Sequence, residues 1–343
     1  MRQQPLQGQG DATWKIRGPD GRQATLVVEV KKHVSPASVQ HGVIPQLGRH
    51  IRQVGGSATA ILVSSWLSPR TRQVLEAKDI SYLDVTGNIS LRVADPAIVI
   101  RTRGEQRDPA PRRQVRRGIS GPRAGRIVRQ LVDFQPPRRP SELAAAADIS
   151  ESYTSRLLEV LSEEALIRRK GHVITKVDWQ NLLRARANSY QLIRTNHVVG
   201  TVARRGLDAT YNALRNGATS HPVLMTGAMV ANNYAPLVVG GALMLYVPPG
   251  PHIVDEVIKD LGLLRAPSGA TVQLLQPMSE GAMERPGPKI DGIGTVGLSQ
   301  LVLDCLSGPG RLPAAGEALI EWMENHEDDW RRGSPIAGGK ALL

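Results

Sequence analysis

The sequence contains very little cysteine and few aromatic residues, and each shortage excludes a class of structure. Cys305 is the only cysteine among 343 residues, which excludes an internal disulfide and a zinc site built from several cysteines. Aromatic residues make up 3% of the chain and Phe134 is its only phenylalanine. The cores must therefore be built from leucine, valine, isoleucine and alanine, and the apolar run around Cys305 predicts a buried, unreactive thiol.

Long apolar segments are also missing. No stretch reaches the roughly 18 residues needed to cross a bilayer, and residues 1–5 lack the apolar region that is typical of a signal peptide. The sequence therefore predicts a cytoplasmic protein without a membrane partner. A length of 343 residues with 41% apolar content favours two or three globular domains.

Positive charge is abundant and unevenly distributed. The formal net charge is +12, and twelve arginines between Arg101 and Arg139 are accompanied by only three acids. Arginine is suited to forked contacts with phosphate or guanine, so this excess indicates a polyanionic partner. The alternative is a solvated linker in a chain that simply favours arginine.

Turn signals and composition divide the chain into segments. We predict domains at 11–103, 121–185 and 188–332, with a basic linker at 104–120. The first segment alternates short β runs with helical stretches, which indicates a small α/β domain. Residues 104–120 are rich in proline, glycine and arginine without hydrophobic periodicity, as expected of a mobile linker.

The central segment has a distinctive order of predicted elements. They are a helix over 124–134, a short alanine-rich helix over 142–147 capped by Ser141, a third helix over 151–165 and a basic hairpin over 167–175. The hairpin turns at a glycine and has the size of a wing.

This order, and the stretch ELAAAADISESYTSRLLEVLSEEALIRR in particular, resembles the winged helix-turn-helix of bacterial transcription regulators. In that family the last helix of the helix-turn-helix begins in the major groove. The resemblance implies a guanine contact for Arg156, and it extends to a larger set of DNA-binding residues: Ser152, Tyr153 and Ser155 in the helix, Arg168, Arg169, Lys170 and His172 in the wing, and Arg123 and Arg126 in the arginine-rich stretch. A winged helix used only for protein contacts is the alternative.

An acid and an E-x-K pair occur in the first segment. Glu29 and Lys31 lie two residues apart on a predicted strand, so both side chains share one face, and Asp11 comes just before the preceding strand. Together with the stretch YLDVTGNISLRV, this arrangement resembles the PD-(D/E)xK restriction-endonuclease-like fold. The resemblance implies that Asp11, Glu29 and Lys31 are catalytic in an active nuclease, with Asp11 and Glu29 holding Mg²⁺.

Two departures from that family weigh against cleavage. Only ten polar residues precede Asp11, where the family has a helix that often carries another carboxylate, and Asp11 does not follow a proline. A salt bridge on a solvent-exposed face accounts for Glu29 and Lys31 without a catalytic role. Asp84 is a possible further carboxylate ligand, but turn formation accounts for it equally well. We leave open whether the chain is an enzyme, and expect no cofactor unless an active site binds Mg²⁺.

The C-terminal segment contains LMTGAMVANNYAPLVVGGALMLYV and GLSQLVLDCLSGPGRLPAAGEALIEWM. Together with the winged helix, these stretches resemble AbiEi-type antitoxins of type IV toxin–antitoxin systems. The resemblance implies binding to the chain's own operator, a cognate toxin as partner, and a nucleotidyltransferase-like fold. A working transferase would carry two acids on the strand after Thr226 and Gly227, and 243–247 carries none, so we expect no transfer activity. Asp304 shares a predicted helix with Ser299 and Gln300, where we expect it to cap or pair locally.

The favoured prediction is a sequence-specific double-stranded DNA-binding transcriptional regulator that contacts the major groove with its winged helix. The predicted fold is α/β multidomain: an endonuclease-like α/β domain, a central winged helix-turn-helix and a C-terminal α/β nucleotidyltransferase-like, antitoxin-like domain. The alternative is a Mg²⁺-dependent DNA endonuclease of the PD-(D/E)xK type that is targeted by the winged helix. A homodimer would match a palindromic operator.

Overall fold

The computed structural model describes residues 2–5, 12–18, 20–54, 58–110, 118–238, 240–278 and 280–333. The chain divides into two compact units, one made of residues 1–116 with 159–167 and the other of 117–158 with 168–343. Each contains helices and sheet strands, which confirms the mixed α/β class. Within the described ranges, every helix is too short or too polar to cross a membrane.

A seven-stranded sheet, with its strands side by side in chain order, forms the first unit. Its strands are β1 Arg2–Pro5, β2 Ala12–Arg17, β3 Gln23–Lys31, β4 Thr59–Ser64, β5 Ser81–Asp84, β6 Ile89–Val93 and β7 Ile98–Thr102. The pairs β3–β4 and β4–β5 are parallel and the other neighbours are antiparallel. Parallel neighbours need crossover connections, which here are helical.

Helices make both crossovers. The first consists of α1 Pro36–Ser38, a π-helical turn Val39–Val43 and α2 Ile44–Val54, and the second is α3 Pro69–Glu76. The Ser68 hydroxyl accepts a hydrogen bond from the Thr71 N–H at 3.0 Å. This bond satisfies one of the free N–H groups at the start of α3 and ends the preceding loop at a defined residue.

Apolar residues lie on both faces of this sheet. Val27 and Leu62 pack with Leu47 of α2 on the helical face, whereas Leu26 and Val28 belong to the opposite face. Strand alternation accounts for this division. Because both faces are covered, the sequence of β3 is a nearly continuous apolar run, as in buried parallel strands.

The first residues of the predicted linker form hydrogen bonds with the first unit. The Gly104 N–H donates to Asn88 Oδ1 at 3.0 Å, and the Glu105 carbonyl accepts from Trp66 Nε1 at 3.1 Å and from Asn88 Nδ2 at 3.0 Å. Asn88 is fully buried, so its amide needs these backbone partners. Linker residues 111–117 lie outside the described residues.

The middle of the chain has the predicted order of three helices and a hairpin. The elements are α4 Gly121–Asp133, α5 Pro140–Ala146, α6 Glu151–Glu163, β8 Ile167–Lys170, β9 Val173–Val177 and, after the hairpin, α7 Trp179–Ala187. The predicted cap at Ser141 is wrong. The N-cap of α5 is Arg139, whose backbone N–H donates to Glu142 Oε2 at 2.9 Å, and Pro140 starts the helix.

A second sheet, of five strands in the order β11-β12-β14-β10-β13, lies in the second unit. The strands are β10 Asn196–Ala203, β11 Leu224–Thr226, β12 Leu243–Tyr246, β13 Leu263–Arg265 and β14 Val272–Pro277. The helices of this part are α8 Leu192–Thr195, α9 Leu207–Arg215, α10 Ala228–Ala231, α11 Ile253–Asp260, α12 Leu298–Ser307, α13 Leu312–Asn325 and α14 Glu327–Trp330, with a 3₁₀ turn at Glu280–Ala282. Ser299, Gln300 and Asp304 share α12, as predicted.

The C-terminal end of α4 is held by the last described residues of the chain. Arg331 Nε donates to the Val132 carbonyl at 3.0 Å and its Nη2 to the Leu131 carbonyl at 3.3 Å. Trp330 packs edge-on against Trp179 with 5.1 Å between ring centroids. The carbonyls at a helix end lack hydrogen-bond donors within the helix. Arg331 supplies two of these donors, so α4 is anchored to the C-terminal part of its own unit.

Candidate nucleic-acid interface

The first half of α6 separates a polar face from a core face. Ser152 and Arg156 are exposed, whereas Thr154, Leu157 and Leu158 are buried. Helical periodicity accounts for this division. The polar face therefore contains Ser152 and Arg156, two of the four residues of this helix that were predicted to face DNA.

Tyr153 and Ser155 are half-buried at the border of that face. Arg156 Nε donates to the Ser152 carbonyl at 3.0 Å, which orients the guanidinium along the start of the helix. Its two Nη groups have no partner among the described residues. In arginines that bind guanine, the guanidinium nitrogens form the bidentate contact.

A tight turn sets the position of α6 relative to α5. Asp148 has a left-handed backbone conformation with φ of 52°, which aspartate tolerates better than most residues. The Ile149 N–H donates to the Ala144 carbonyl at 2.9 Å, and the Thr154 N–H donates to the Ser150 carbonyl at 3.0 Å. The first bond pairs a carbonyl in the last turn of α5 and the second pairs an N–H in the first turn of α6, so the turn connects the two helices closely.

The β8–β9 hairpin presents basic side chains on its outer side. Strand alternation places Arg168 and Lys170 together, and both are exposed, as is His172 in the turn. None of these three side chains forms a hydrogen bond or ion pair with another described residue. Arg169 points to the other side of the hairpin, is half-buried, and its buried Nε has no hydrogen-bond partner in the described part of the chain.

The two arginines predicted on the first helix differ in their surroundings. Arg123 is exposed in the first turn of α4, where it has no ion-pair partner among the described residues. Arg126 instead forms an ion pair with Glu284. A guanidinium that already faces a carboxylate is a weaker attraction for phosphate, so Arg123 is the better placed of the two.

On its buried side, α4 contributes Arg129 to a polar network that the sequence did not predict. Arg129 Nη1 donates to Gln300 Oε1 at 2.7 Å, and Gln300 Nε2 donates to Asp304 Oδ1 at 2.8 Å. Burial and the neighbouring Arg285 lower the pKa of Arg129 to about 10. The network joins α4 to α12 through buried side chains.

Asp304 does not pair only locally, which corrects the expectation from sequence. Its Oδ1 accepts from the hydroxyls of Tyr190 and Tyr246, each at 2.9 Å, and its Oδ2 accepts from the Thr226 hydroxyl at 2.7 Å. The pairing of β11 with β12 brings Thr226 and Tyr246 to α12, although both are far from Asp304 in sequence. Desolvation raises the pKa of Asp304 from its ordinary value to about 6, and the hydrogen bonds oppose that rise.

In the first unit, Glu29 and Lys31 share one face of β3, as strand periodicity predicts. Lys31 Nζ lies 2.6 Å from Glu29 Oε1, and Gln46 Nε2 of α2 donates to Glu29 Oε2 at 3.0 Å. The Glu29 side chain is 1% exposed. A solvent-facing salt bridge therefore does not describe this pair. Asp11 lies outside the described residues.

Only part of the Mg²⁺ site that the endonuclease resemblance implies lies within the described residues, because Asp11 lies outside them. Mg²⁺ takes near-octahedral oxygen ligands from carboxylates and water, and Glu29 is one carboxylate whose two oxygens already have partners. No group of three or more His, Cys, Asp or Glu residues suited to a metal occurs in the described part of the chain. The described residues therefore supply one carboxylate of this site, Glu29, with Lys31 and Gln46 around it.

Asp84 has a structural role in its turn. Its Oδ1 accepts from the N–H groups of Thr86 and Asn88, each at 3.0 Å, and its Oδ2 accepts from the Leu67 N–H at 3.0 Å and from Asn88 Nδ2 at 2.9 Å. A buried carboxylate with this many donors is fully satisfied. Turn formation thus accounts for Asp84.

Comparisons of this chain with protein-family models, with curated proteins and with solved structures find no match.

Proposed function

We propose that the chain is a sequence-specific double-stranded DNA-binding transcriptional regulator, with α6 in the major groove and the β8–β9 hairpin beside it. One observation carries the proposal. The exposed polar face of α6 is followed by a basic hairpin whose outward side chains, Arg168, Lys170 and His172, have no partner among the described residues.

The chemistry of the two elements suits different parts of a duplex. The major groove is about 12 Å wide and admits a helix, and an arginine there can bind O6 and N7 of guanine together. Arg156 has both Nη groups available for such a contact. The hairpin residues are suited to phosphate, which fixes the register of the protein on DNA without adding sequence information.

Arg156 supplies the test of this assignment. We expect Arg156→Ala to lower the ratio of specific to nonspecific affinity about 5- to 150-fold, the equivalent of the roughly 1–3 kcal/mol of a bidentate base contact. The specific duplex is first selected from random sequences with the full-length protein. Fluorescence anisotropy then compares that duplex with a scrambled one.

Arg184→Ala is the matched control, because Arg184 is a partly exposed arginine of α7 that pairs with Glu317 at 2.7 Å. Its specificity ratio should equal that of the wild type. An Arg156→Ala protein that keeps full discrimination would show that α6 is not the element that contacts the bases.

The alternative of a Mg²⁺-dependent DNA endonuclease is supported by one feature, the buried Glu29 with Lys31 and Gln46 around it. It lacks a second carboxylate among the described residues. The resemblance to AbiEi-type antitoxins adds a cognate toxin as a proposed partner, and a second copy of the chain is proposed because a homodimer would match a palindromic operator.

A further inference from the structure

Residues 30–75 of the first unit contain no aspartate or glutamate, although the chain as a whole contains 31. The same stretch contains six lysines and arginines and three histidines. It forms the end of β3, the helical crossover to β4, and most of the crossover to β5. This part of the first unit therefore contains basic but no acidic side chains.

Five basic residues of this segment are exposed, and we call them the α2 basic face: Lys32, His33, His41, Arg49 and Arg52. None of these side chains forms a hydrogen bond or ion pair with another described residue. Two other exposed arginines of the same unit do have partners: Arg22 pairs with Asp20 and Asp95, and Arg92 pairs with Asp79.

The helical crossover arranges these residues along one side. Val39, Val43 and Leu47 are buried against the sheet, whereas His41, Arg49 and Arg52 lie at exposed positions between and beyond them. At about 1.5 Å per residue, the distance along the helix from His41 to Arg52 is roughly 16 Å.

The loop residues adjoin the same helix. Gln46 of α2 donates to Glu29 Oε2 at 3.0 Å, which holds the helix against the end of β3. Lys32 and His33 follow directly from that end. Arg49 and Arg52, three residues apart on α2, repel each other because no acid lies nearby on the helix.

We propose that the α2 basic face is a second DNA-contacting surface, which binds the phosphates of the duplex independently of sequence. This inference rests on the proposed function, because duplex DNA is the shared ligand. Each DNA strand has a phosphate about every 3.4 Å along the helix axis, so a stripe of roughly 16 Å extends along about five of them. A polyanion would also relieve the repulsion between the unpaired arginines.

The salt dependence of DNA binding tests the inference in the full-length protein. Each phosphate neutralised by a cation contributes about −0.9 to the slope of log K against log salt concentration. We expect Arg49→Gln/Arg52→Gln to make that slope shallower by about 1.8, which corresponds to an affinity loss of up to about 60-fold at 0.1 M salt. Selected and scrambled duplexes should weaken equally, so the specificity ratio should not change.

The control is Arg22→Gln/Arg92→Gln, which removes the same charge from two ion-paired arginines of the same unit. Its slope should match that of the wild type. If both double variants lower the slope equally, the effect comes from net charge and the inference is overturned.

The inference and the proposed function can fail separately. An unchanged slope in Arg49→Gln/Arg52→Gln, in a protein whose discrimination still depends on Arg156, would overturn only the inference. A wild-type protein that binds no duplex DNA would overturn both.

Discussion

Asp304 has no exposed surface and accepts hydrogen bonds from Tyr190, Tyr246, Thr226 and Gln300. Four donors around one carboxylate compensate part of the desolvation, yet burial still raises its pKa to about 6. The folded protein therefore binds this proton more tightly than the unfolded chain does. The stabilisation from the proton is fully present below the ordinary pKa of 3.8 and is lost as the pH rises through about 6.

Replacing Asp304 by asparagine removes this titration. We expect the difference in the free energy of unfolding, wild type minus Asp304→Asn, to be about 2 kcal/mol larger at pH 4 than at pH 7. Urea unfolding at several pH values measures it. Thr226→Val removes one donor but keeps the carboxylate, so it should retain the pH dependence. A wild-type-minus-Asp304→Asn difference that does not vary with pH would contradict the assignment.

The surroundings of two carboxylates, Glu29 and Asp304, could be predicted from the sequence only in part. Glu29 and Lys31 were placed on one face correctly, because the strand period of two is a local property. The burial of Glu29 could not be predicted, since it depends on Gln46 in a helix that folds back over the strand. Asp304 was misjudged for the same reason: Tyr190, Tyr246 and Thr226 reach it only through the tertiary fold.

Among the secondary-structure elements, α4 depends on a cap from a distant part of the chain. Arg331 is 7% exposed and donates to two carbonyls at the end of α4, and its Nη1 also pairs with Glu327 at 2.5 Å. No residue near the end of α4 in sequence could have indicated this contact. Without the guanidinium, two helix-end carbonyls would be left without donors in a buried place.

Arg331→Met keeps much of the apolar stem and removes the donors. We expect the free energy of unfolding to fall by about 2 kcal/mol, because hydrogen bonds from a charged donor are lost and the carbonyls stay buried. Denaturant unfolding measures the change. The neighbouring Arg332→Met is the control, since Arg332 is exposed and is held by its backbone groups. Equal stability of the two variants would show that Arg331 does not cap the helix.

Elements with strong local signals were predicted well. The three helices and the hairpin of the central segment follow from apolar periodicity and a glycine turn, and their order is confirmed. The start of α5 was misplaced because Pro140 favours the first helical position, which makes Arg139 the cap. Strand β7 gives a weak signal in the sequence because, as an edge strand, it has Val99 and Ile100 exposed and shows no alternation of apolar and polar residues.

At the scale of the whole molecule, net charge is the property that follows most directly from the sequence. The excess of +12 belongs to a chain whose exposed basic side chains on the β8–β9 hairpin and on the α2 basic face have no partners among the described residues. Net charge of one sign supports association with a polyanion but says nothing about fold. The compact units could not be predicted, because the contacts of α4 with α12 and Arg331 join segments far apart in sequence.

The proposed function requires that the chain binds duplex DNA sequence-specifically and leaves it intact. A native gel tests it directly, with purified full-length protein, end-labelled DNA from upstream of its own gene, Mg²⁺ and an excess of nonspecific competitor. We predict a shifted band of full-length DNA that resists the competitor. Shortened DNA that returns to full length with Glu29→Ala, or the absence of any competitor-resistant band, would contradict the account.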